Sequence, residues 1–455
     1  MAKDKTEFVC DECGYNTTNW MGRCTSCGAW NTLREVSQEE RDVVRSDQNQ
    51  NLSGIAEPIP VTEIGNRERF RFSTTIEEFD RVLGGGIVQG SLVLFGGAPG
   101  IGKSTLMLQT AYLFCLEYGK VLYVSGEESS RQIKLRAERL NTLNDNLLIA
   151  AETNYEKIEG TICNGDYSLI IVDSIQTIYG GNADSTPGSI SQIKEVSSRL
   201  QKVAKKLEIP VFLIGHITKK GDLAGPRVLE HLVDTVLKLE GDRNHRYRLL
   251  RTAKNRYGST REMGVFRMES SGIKEVKNPS RLFLEGRPKG EPGSVIVPVI
   301  EGSRTILVEV QALISGAAFS APQRVTTGLD NKRVSILLAV LEKKLGFNFR
   351  DQDVHLNITG GITVKEPALD LGIITAVISS YRDSALEPDV AVVGEVGLTG
   401  EVRGISRIEM RIKELRKMGF KNIILTDDNL RDLESTTSID MIGIRKISEV
   451  VDILF

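Results

Sequence analysis

Short apolar runs alternate with helical patterns over residues 70–272. The strand-like runs lie at 92–95, 121–124, 169–172 and 211–214. The segment at 105–118, between the first two of them, has the pattern of a helix. Apolar strands that alternate with helices are typical of a mainly parallel sheet covered by helices. The pattern therefore predicts an α/β fold for this region.

A second series of strands and a helix begins after a Gly/Pro-rich passage at 285–293. Strand-like runs at 295–300 and 305–312 precede a helical pattern at 334–345. Composition shifts of this kind mark domain boundaries. We therefore predict a separate mixed α/β domain in the C-terminal part of the chain.

Composition places the chain among soluble globular proteins. Of its 455 residues, 40% are hydrophobic and 26% are charged. The N-terminus lacks the apolar stretch of a secretory signal, and no segment approaches the ~20 apolar residues of a spanning helix. We expect a cytoplasmic protein without membrane contact. The formal net charge of -2 leaves any nucleic-acid binding to local basic patches.

Two close cysteine pairs lie near the N-terminus. Their four thiolates, from Cys10, Cys13, Cys24 and Cys27, can reach one tetrahedral ion. Four sulfur ligands without a water position are typical of a structural zinc site. A redox-active dithiol pair is the alternative. So small a module has too little core to fold without metal, which makes Zn²⁺ an expected cofactor.

A phosphate-loop motif lies between the 92–95 run and the helical segment that follows. Its glycines let backbone amides turn toward phosphates, while Lys103 neutralises the β and γ oxygens and Ser104 ligates magnesium. ATP and Mg²⁺ are therefore expected cofactors. The predicted ATP-binding residues are Gly97, Ala98, Pro99, Gly100, Ile101, Gly102, Lys103, Ser104 and Thr105.

Polar residues at the ends of three strand-like runs are predicted to complete a catalytic site. Asp173 is the expected Walker B aspartate, which holds magnesium. Glu127 and Glu128 follow another run, and we favour Glu127 as the group that polarises the attacking water because it emerges first. The alternative makes both of them helix-start acids. His216 is either a sensor of the γ-phosphate or a structural histidine.

The densest positive charge lies between Arg243 and Arg261. This segment holds six arginines, one lysine and one histidine without an acidic residue, and it reads as strand, turn and strand. One interpretation is a solvated edge hairpin whose charges prevent aggregation. In the functional interpretation, Lys254 or Arg256 reaches the phosphate of a neighbouring subunit in a ring, or the patch grips a DNA backbone.

Three features together resemble the bacterial RadA/Sms family over essentially the whole chain. They are the four-cysteine module, Leu83-Gly-Gly-Gly86 before the phosphate loop, and Lys254-Asn-Arg-Tyr-Gly258, where the family usually has Phe in place of Tyr257. The resemblance implies a RecA-like ATPase core, a homohexameric ring related to DnaB-type helicases, and branch migration of recombination intermediates. It also implies single-stranded and branched DNA and a RecA-type recombinase as partners.

Two loops become candidate DNA contacts through this resemblance. In RecA-like cores, the loops after the Walker B strand and after the next strand face DNA, which here gives 176–188 and 218–227. Lys219, Lys220 and Arg227 are the candidate residues. From the residues alone, these loops are glycine-rich connections that suit any surface.

The C-terminal region, especially 353–455, resembles the Lon protease domain. The resemblance lies in Pro-Ala-Leu-Asp-Leu-Gly at 367–372 and Gly-Glu-Val-Gly-Leu-Thr-Gly at 394–400. In this register Asp370 replaces the nucleophilic serine and Glu409 the lysine, so the peptidase dyad is missing. We expect an oligomerisation and DNA-binding platform, with ordinary solvated charges as the alternative. Its candidate cations are Lys343, Lys344, Arg403, Arg407 and Arg411.

These observations predict four segments and one leading function. The segments are a four-cysteine zinc module at 8–33, a linker at 34–66, a RecA-like ATPase domain at 67–285 and a Lon-protease-like domain at 286–455. The leading hypothesis is a DNA-dependent ATPase and helicase-type motor in recombination and DNA repair. The missing dyad opposes an ATP-dependent protease. The zinc module and C-terminal domain oppose a nucleotide-switched assembly or signalling ATPase of the clock-protein type.

Overall fold

The fold is described from a computed structural model. It covers residues 8–10, 16–17, 20–25, 29–35, 60, 70–180, 188–216, 228–241, 247–317, 322–433 and 439–455. The chain forms two compact units that interleave along the sequence. The first comprises Met1–Glu240, Leu250–Thr260 and Met268–Ile273, and the second comprises Gly241–Leu249, Arg261–Arg267 and Lys274–Phe455. The chain therefore passes between the two units more than once. The sequence instead predicted a single domain boundary at 285/286, and that boundary stays a prediction.

A small antiparallel sheet opens the first unit, and its strand order is β2-β1-β3. Its strands are β1 (Phe8–Cys10), β2 (Asn16–Thr17) and β3 (Leu33–Glu35). Cys10, Cys24 and Leu33 are buried together, and Phe8 and Met21 pack against them. The described core of this module is therefore only a few side chains.

A nine-stranded sheet follows, and its order is β14-β13-β12-β11-β6-β10-β9-β7-β8. Ahead of it, β4 (Arg71–Phe72) pairs antiparallel with β5 (Ile87–Val88), and α1 (Glu77–Leu83) lies between them in the chain. The elements of the sheet and its helices are β6 (Leu92–Gly97), α2 (Lys103–Tyr118), β7 (Val121–Ser125), α3 (Ser130–Leu140), β8 (Leu147–Ala151), α4 (Tyr155–Asn164), β9 (Leu169–Asp173), α5 (Ile190–Leu207), β10 (Val211–His216), α6 (Val228–Leu232), β11 (Thr235–Glu240), β12 (Tyr247–Asn255), β13 (Met263–Glu269) and β14 (Gly272–Glu275).

The central strands of this sheet are parallel, as their apolar runs predict. β6 pairs with β10 and β11, and β7 pairs with β8 and β9, all in parallel. Every residue of β6 and β7 is buried, because helices cover both faces of such a sheet. The carboxyl ends of β6, β7, β9 and β10 therefore meet at one edge, where ligand sites of open α/β sheets form.

The basic segment forms the first strand and the turn of the predicted hairpin, and the second strand lies just beyond it. Within the described residues it contains one nine-residue strand, β12, and the next strand starts only at Met263, beyond Arg261. Leu250 and Thr252 are buried in β12, so the extended chain continues through the middle of the segment. The predicted order of strand, turn and strand is therefore present, but the second strand begins two residues beyond the predicted segment. Residues 242–246 lie outside the described part of the chain.

The second unit contains a seven-stranded mixed sheet in the order β17-β18-β16-β15-β19-β22-β23 and a separate ribbon of β20 and β21. Its elements are α7 (Pro279–Phe283), β15 (Ser294–Glu301), β16 (Arg304–Gly316), β17 (Arg324–Thr327), α8 (Asn331–Leu345), β18 (Gln352–Ile358), α9 (Asp370–Arg382), β19 (Val390–Val392), β20 (Glu395–Val396), β21 (Val402–Arg403), α10 (Ile408–Lys417), β22 (Asn422–Thr426), α11 (Asp427–Arg431), β23 (Asp440–Ile444) and α12 (Ile447–Leu454).

Short 3-10 turns complete the regular structure at Ile175–Thr177, Thr359–Gly361 and Pro367–Leu369. The helix α9 is the centre of the second unit, because its residues from Asp370 to Ser379 are all buried. Among the residues that the structure describes, no helix has both the length and the apolar content needed to cross a membrane.

Candidate nucleotide site

The phosphate loop connects β6 to α2 at the carboxyl edge of the parallel strands. Two of its glycines have positive φ, 74° at Gly100 and 116° at Gly102. A Cβ on Gly102 would lie 2.7 Å from side-chain atoms of both Ile273 and Met268. Glycine is therefore required at 102 by backbone conformation and by space. Directly after it, Lys103 opens the helix with its side chain almost wholly buried.

The Lys103 ammonium is held against the loop itself. Its Nζ donates hydrogen bonds to the carbonyl oxygens of Gly97 at 2.8 Å and Ala98 at 3.1 Å. Burial lowers the pKa of Lys103, while the neighbouring carboxylates of Asp173 and Glu127 act in the opposite direction. The structure thus brings the predicted loop lysine and two predicted acids into one electrostatic group. Phosphate oxygens at the loop can replace the two carbonyl acceptors.

Asp173, at the end of β9, is fixed by one group in β7 and one in the residue that follows it. The Tyr123 hydroxyl donates to Asp173 Oδ2 at 2.6 Å, and the Gly126 amide donates to the Asp173 carbonyl oxygen at 2.8 Å. Burial and the adjacent carboxylate raise the pKa of the Tyr123 phenol well above its usual value, so it stays a donor. The next residue, Ser174, donates through its hydroxyl to Glu127. Neighbouring strands therefore place both carboxylates beside the phosphate loop.

The two consecutive glutamates have different surroundings. Glu128 forms an ion pair with Arg136 at 2.5 Å, and its backbone amide and carbonyl bond to the Ser125 hydroxyl. Glu127 instead is exposed, bonds to Ser174 and lies close enough to Lys103 to affect its pKa. The Glu128 carboxylate therefore interacts with an arginine of α3, whereas the Glu127 carboxylate interacts with Lys103 at the nucleotide site.

Sequence reasoning missed two residues of this site. Tyr123 is the one aromatic residue in the apolar strand β7, and Ser174 directly follows Asp173. A hydroxyl inside an aliphatic run was the available signal, because buried phenols require an acceptor. His216 ends β10 opposite Gly97 in register, but its side chain lies outside the description. The predicted DNA-loop residues Lys219, Lys220 and Arg227 also lie outside the described residues.

The basic motif at 254–258 lies at the other edge of the sheet. Lys254 Nζ donates to the carbonyl oxygens of Glu230 at 2.5 Å and Val233 at 2.8 Å. Arg256 pairs with Asp234 at 3.3 Å, and it also bonds to the His231 carbonyl oxygen at the same distance. Burial lowers the pKa of Lys254, and the charge of Arg256 adds to this effect. Both cations therefore hold the end of α6 and the turn into β11.

Asp234 anchors this cluster to the amino end of β6. Its side chain is 2% exposed, and it accepts from Lys205 Nζ at 2.8 Å and from the Leu92 amide at 3.0 Å. Although burial opposes ionisation, these bonds lower the pKa of Asp234. Leu92 and Gly97 are the two ends of β6, about 17 Å apart at the usual rise of a strand. The basic motif and the phosphate loop of one chain are therefore not in contact.

Two sequence features that are far apart in the chain pack on each other here. The Asn255 amide donates to the Leu83 carbonyl oxygen at 3.0 Å, across 172 residues of sequence. A Cβ on Gly84 would lie 3.1 Å from the Cα of Gly258, so both glycines permit close approach of the two backbones. Arg71 also donates to the Tyr257 carbonyl oxygen at 2.7 Å. The glycine run at 84–86 and the motif at 254–258 form one structural element.

The cations predicted to face DNA in the second unit have different surroundings. Arg403 is exposed and pairs with Glu401 at 2.7 Å, and exposed Arg407 donates to the Gly302 carbonyl oxygen at 3.0 Å. Arg411 is 0% exposed, so the prediction that its charge offers a surface for DNA is wrong. Lys343 and Lys344 are exposed in the last turn of α8.

The position that corresponds to the Lon nucleophile holds a buried carboxylate paired with a half-buried arginine. The Asp370 carboxylate is 2% exposed, accepts from Arg333 Nε at 2.9 Å, and forms an ion pair with the same guanidinium. It also accepts from the Val396 amide at 3.1 Å. Glu409, at the position of the Lon lysine, is exposed. The described residues therefore place no hydroxyl nucleophile at this position.

The N-terminal module shows half of the predicted zinc ligands. Cys10 and Cys24 are buried near each other, and Cys10 Sγ lies 3.2 Å from the Thr32 hydroxyl. Cys13 and Cys27 lie outside the described residues. Two buried thiols in so small a core fit a module that a metal organises.

Three family models match the chain. They are described as an AAA domain at residues 65–222, a rubredoxin metal binding domain at 8–35, and the Lon protease (S16) C-terminal proteolytic domain at 336–455. The predicted α/β fold, the N-terminal metal module and the likeness to the Lon domain are confirmed by these matches and by the two sheets.

Full-length relatives share almost half of their residues with this chain. DNA repair protein RadA of Bacillus subtilis is 48% identical over 99% of both chains. Its namesake in Halalkalibacterium halodurans is 47% identical over 100% of this chain and 99% of the relative. The protein of that name from Streptococcus pyogenes serotype M1 is 45% identical over the whole of both chains.

Solved structures match only part of the chain. The RadB recombinase is 26% identical and covers 45% of this chain and 99% of its own, with a TM-score of 0.37. A KaiC-like protein from Pyrococcus horikoshii is 22% identical and covers 46% of this chain and 99% of its own, with a TM-score of 0.39.

Proposed function

Because the chain belongs to the RadA family of DNA repair proteins, as its sequence motifs predicted, we propose that it is a DNA-dependent ATPase and helicase-type motor. The motor promotes branch migration of recombination intermediates in the cytoplasm. One observation carries the proposal. Lys103, Asp173 and Glu127 converge at one edge of the sheet, and the basic motif with Lys254 and Arg256 lies at the opposite edge. A motor needs both a hydrolysis site and a separate element that responds to it.

In the proposed hydrolysis site, Lys103 neutralises the β and γ phosphates of ATP. Ser104 and Asp173 hold Mg²⁺, which supplies charge neutralisation for phosphoryl transfer when it is bound. The Tyr123 hydroxyl donates a hydrogen bond to one oxygen of Asp173, and this bond orients the carboxylate. Glu127 polarises the attacking water. The Ser174 hydroxyl donates to the Glu127 carboxylate and positions that carboxylate. A Glu127→Gln variant that kept full turnover would contradict this role.

The basic motif is proposed to act between subunits of a homohexamer. Lys254 and Arg256 lie about 17 Å, the length of β6, from the edge that carries their own phosphate loop, so they cannot stabilise that nucleotide. In a ring, this edge can face the nucleotide of the next subunit, where a cation stabilises the developing charge. Single-stranded and branched DNA are the proposed substrates, with a RecA-type recombinase as a protein partner. Arg403, Arg407 and the loop residues Lys219, Lys220 and Arg227 are the proposed DNA contacts.

Single-stranded DNA is expected to stimulate steady-state ATP hydrolysis, and the Lys254→Ala variant is expected to lose this stimulation. The stimulated rate should fall by more than about tenfold, because a cation that acts across subunits supplies transition-state stabilisation. Hydrolysis is measured with and without a single-stranded oligonucleotide at fixed salt.

Lys206→Ala is the matched control for this measurement. Lys206 is exposed in the last turn of α5, so its removal changes the net charge without touching the motif. No stimulation of the native chain would contradict a DNA motor. Normal stimulation of Lys254→Ala would instead contradict the coupling role of that lysine.

Removal of Zn²⁺ is expected to unfold the N-terminal module without unfolding the nine-stranded sheet. Four thiolates from Cys10, Cys13, Cys24 and Cys27 are proposed to hold the ion, whose binding in such modules supplies roughly 10–16 kcal/mol. Amide hydrogen exchange, measured before and after chelation, should lose protection in β1 and β3 only. Loss of protection in β6 and β9 at the same chelator concentration would contradict independent folding.

Peptide hydrolysis is not proposed for the second unit, despite its match to a proteolytic domain. Asp370 is an acceptor locked to Arg333 and the Val396 amide, so it cannot serve as a hydroxyl nucleophile. ATP-dependent degradation of casein by the purified chain would contradict this conclusion.

A further inference from the structure

A cleft in the second unit is lined by the start of α7, the turn into β16 and one face of α10. Its volume is about 310 Å³. This is at the lower end of the range for small-molecule sites, roughly 300–1,000 Å³. All of its lining residues belong to the second unit, whereas the phosphate loop belongs to the first.

Positive charge dominates the cleft. Its walls carry four cations and one carboxylate; the cations are Lys277, Arg304, Lys413 and Lys417. The carboxylate of Glu414 already accepts from the Ser280 hydroxyl at 2.6 Å and lies 3.8 Å from Lys417. Lys277 and Lys413 are exposed and form no ion pair with any residue that the structure describes. Like charges gathered in a concave site attract an anion that carries more than one charge.

Two neutral polar groups on the wall lack a strong partner. Thr305 is 8% exposed, and its hydroxyl oxygen is buried without a hydrogen-bond partner among the described residues. Among the described residues, the Asn278 amide nitrogen reaches only the Met418 sulfur, at 3.6 Å, while its carbonyl oxygen accepts from the Arg281 amide. A buried hydroxyl without a partner is costly, and a thioether is a weak acceptor. An oxygen atom of a ligand in the cleft can accept from the Asn278 amide, whereas the Thr305 hydroxyl is enclosed by protein and takes no part in ligand binding.

We propose that this cleft binds a phosphate group. A phosphate carries more than one negative charge and several acceptor oxygens, which suits separate lysine ammonium groups and the neutral Asn278 amide together. A single carboxylate carries one negative charge, which is too little for the two lysines, Lys277 and Lys413, that form no ion pair with any described residue. The group comes either from a small phosphate compound or from a nucleic-acid backbone. The inference is independent of ATP hydrolysis, because no residue of the nucleotide site takes part in it.

The test compares a double variant, Lys277→Ala with Lys413→Ala, with the control Arg416→Ala. All three side chains are exposed, and Arg416 lies in α10 next to Lys417 without lining the cleft. Each variant is made in the full chain with Lys103→Ala, which weakens anion binding at the phosphate loop. Inorganic pyrophosphate is titrated by calorimetry, and a single-stranded oligonucleotide is titrated separately at the same salt.

Pyrophosphate affinity is expected to fall by at least about tenfold in the double variant and to stay unchanged in the control, because charge-assisted hydrogen bonds to phosphate are lost. This result identifies a site for a small phosphate compound. A tenfold fall for the oligonucleotide alone identifies a backbone phosphate as the occupant. Unchanged binding of both probes overturns the proposal, as does an equal loss in the Arg416→Ala control. Matched thermal unfolding of the variants shows that the fold is intact.

Discussion

The Lys103→Ala variant is expected to hydrolyse ATP roughly 100- to 1000-fold more slowly than the native chain, the usual effect of removing one preorganised charge donor from a transition state. Lys103 is the buried cation of the phosphate loop, and its ammonium is held at the loop by the carbonyl oxygens of Gly97 and Ala98. Alanine retains the helix and removes the charge that neutralises the transferred phosphoryl group. Steady-state release of phosphate at saturating ATP measures the change.

Lys134→Ala provides the control for this prediction. Lys134 is exposed on α3 and belongs to the same unit, so its loss reduces the net charge equally. Its turnover should match that of the native chain. Hydrolysis by Lys103→Ala at the native rate would show that the nucleotide site lies elsewhere. Thermal unfolding measured in parallel separates a catalytic loss from an unfolded chain.

The Arg411→Met variant is expected to destabilise the second unit by about 3 kcal/mol, the lower end of the usual cost of breaking a buried ion pair, because the Glu366 side chain is 20% exposed. The guanidinium of Arg411 pairs with Glu366 and donates to the carbonyl oxygens of Pro298 and Ser406. Glu366 also accepts from the Ile300 amide at 2.7 Å. Methionine fills part of the volume but leaves a carboxylate that has lost its cation. Amide hydrogen exchange in β15 and α10 measures the free energy of opening.

Arg416→Ala is the matched control, because Arg416 lies on the exposed side of the same helix. Its effect on stability should stay within about 0.5 kcal/mol, as for most surface substitutions. If Arg411 instead contacted DNA, the Arg411→Met variant would keep its stability and lose DNA affinity. That pattern would contradict the buried role.

The two edges of the nine-stranded sheet divide the proposed chemistry of the motor. At the carboxyl edge, β6, β7 and β9 supply the groups for ATP, and at the amino edge Asp234 ties Lys254 and Arg256 to the start of β6. The packing of Gly84 against Gly258 gives the second edge its own rigid support.

Much of this protein was determined by local sequence. The phosphate loop, the parallel strands and the helix after the loop follow from glycine spacing and from runs of apolar residues, since these act over a few neighbouring positions. Thus the predicted helix at 105–118 corresponds to Lys103–Tyr118, and the run at 169–172 to Leu169–Asp173. The cysteine pairs likewise predicted a metal module through spacing alone.

Tertiary structure decided which charged side chains face which partner. Sequence favoured Glu127 over Glu128 only by its order in the chain, and the structure pairs Glu128 with an arginine of α3. Sequence placed Arg411 among surface cations, although Glu366, 45 residues away, accepts its hydrogen bonds in the core. It could not show that Lys254 lies a full strand length from its own phosphate loop. Burial and pairing of a long side chain depend on elements that are distant in sequence, and no local pattern encodes those contacts.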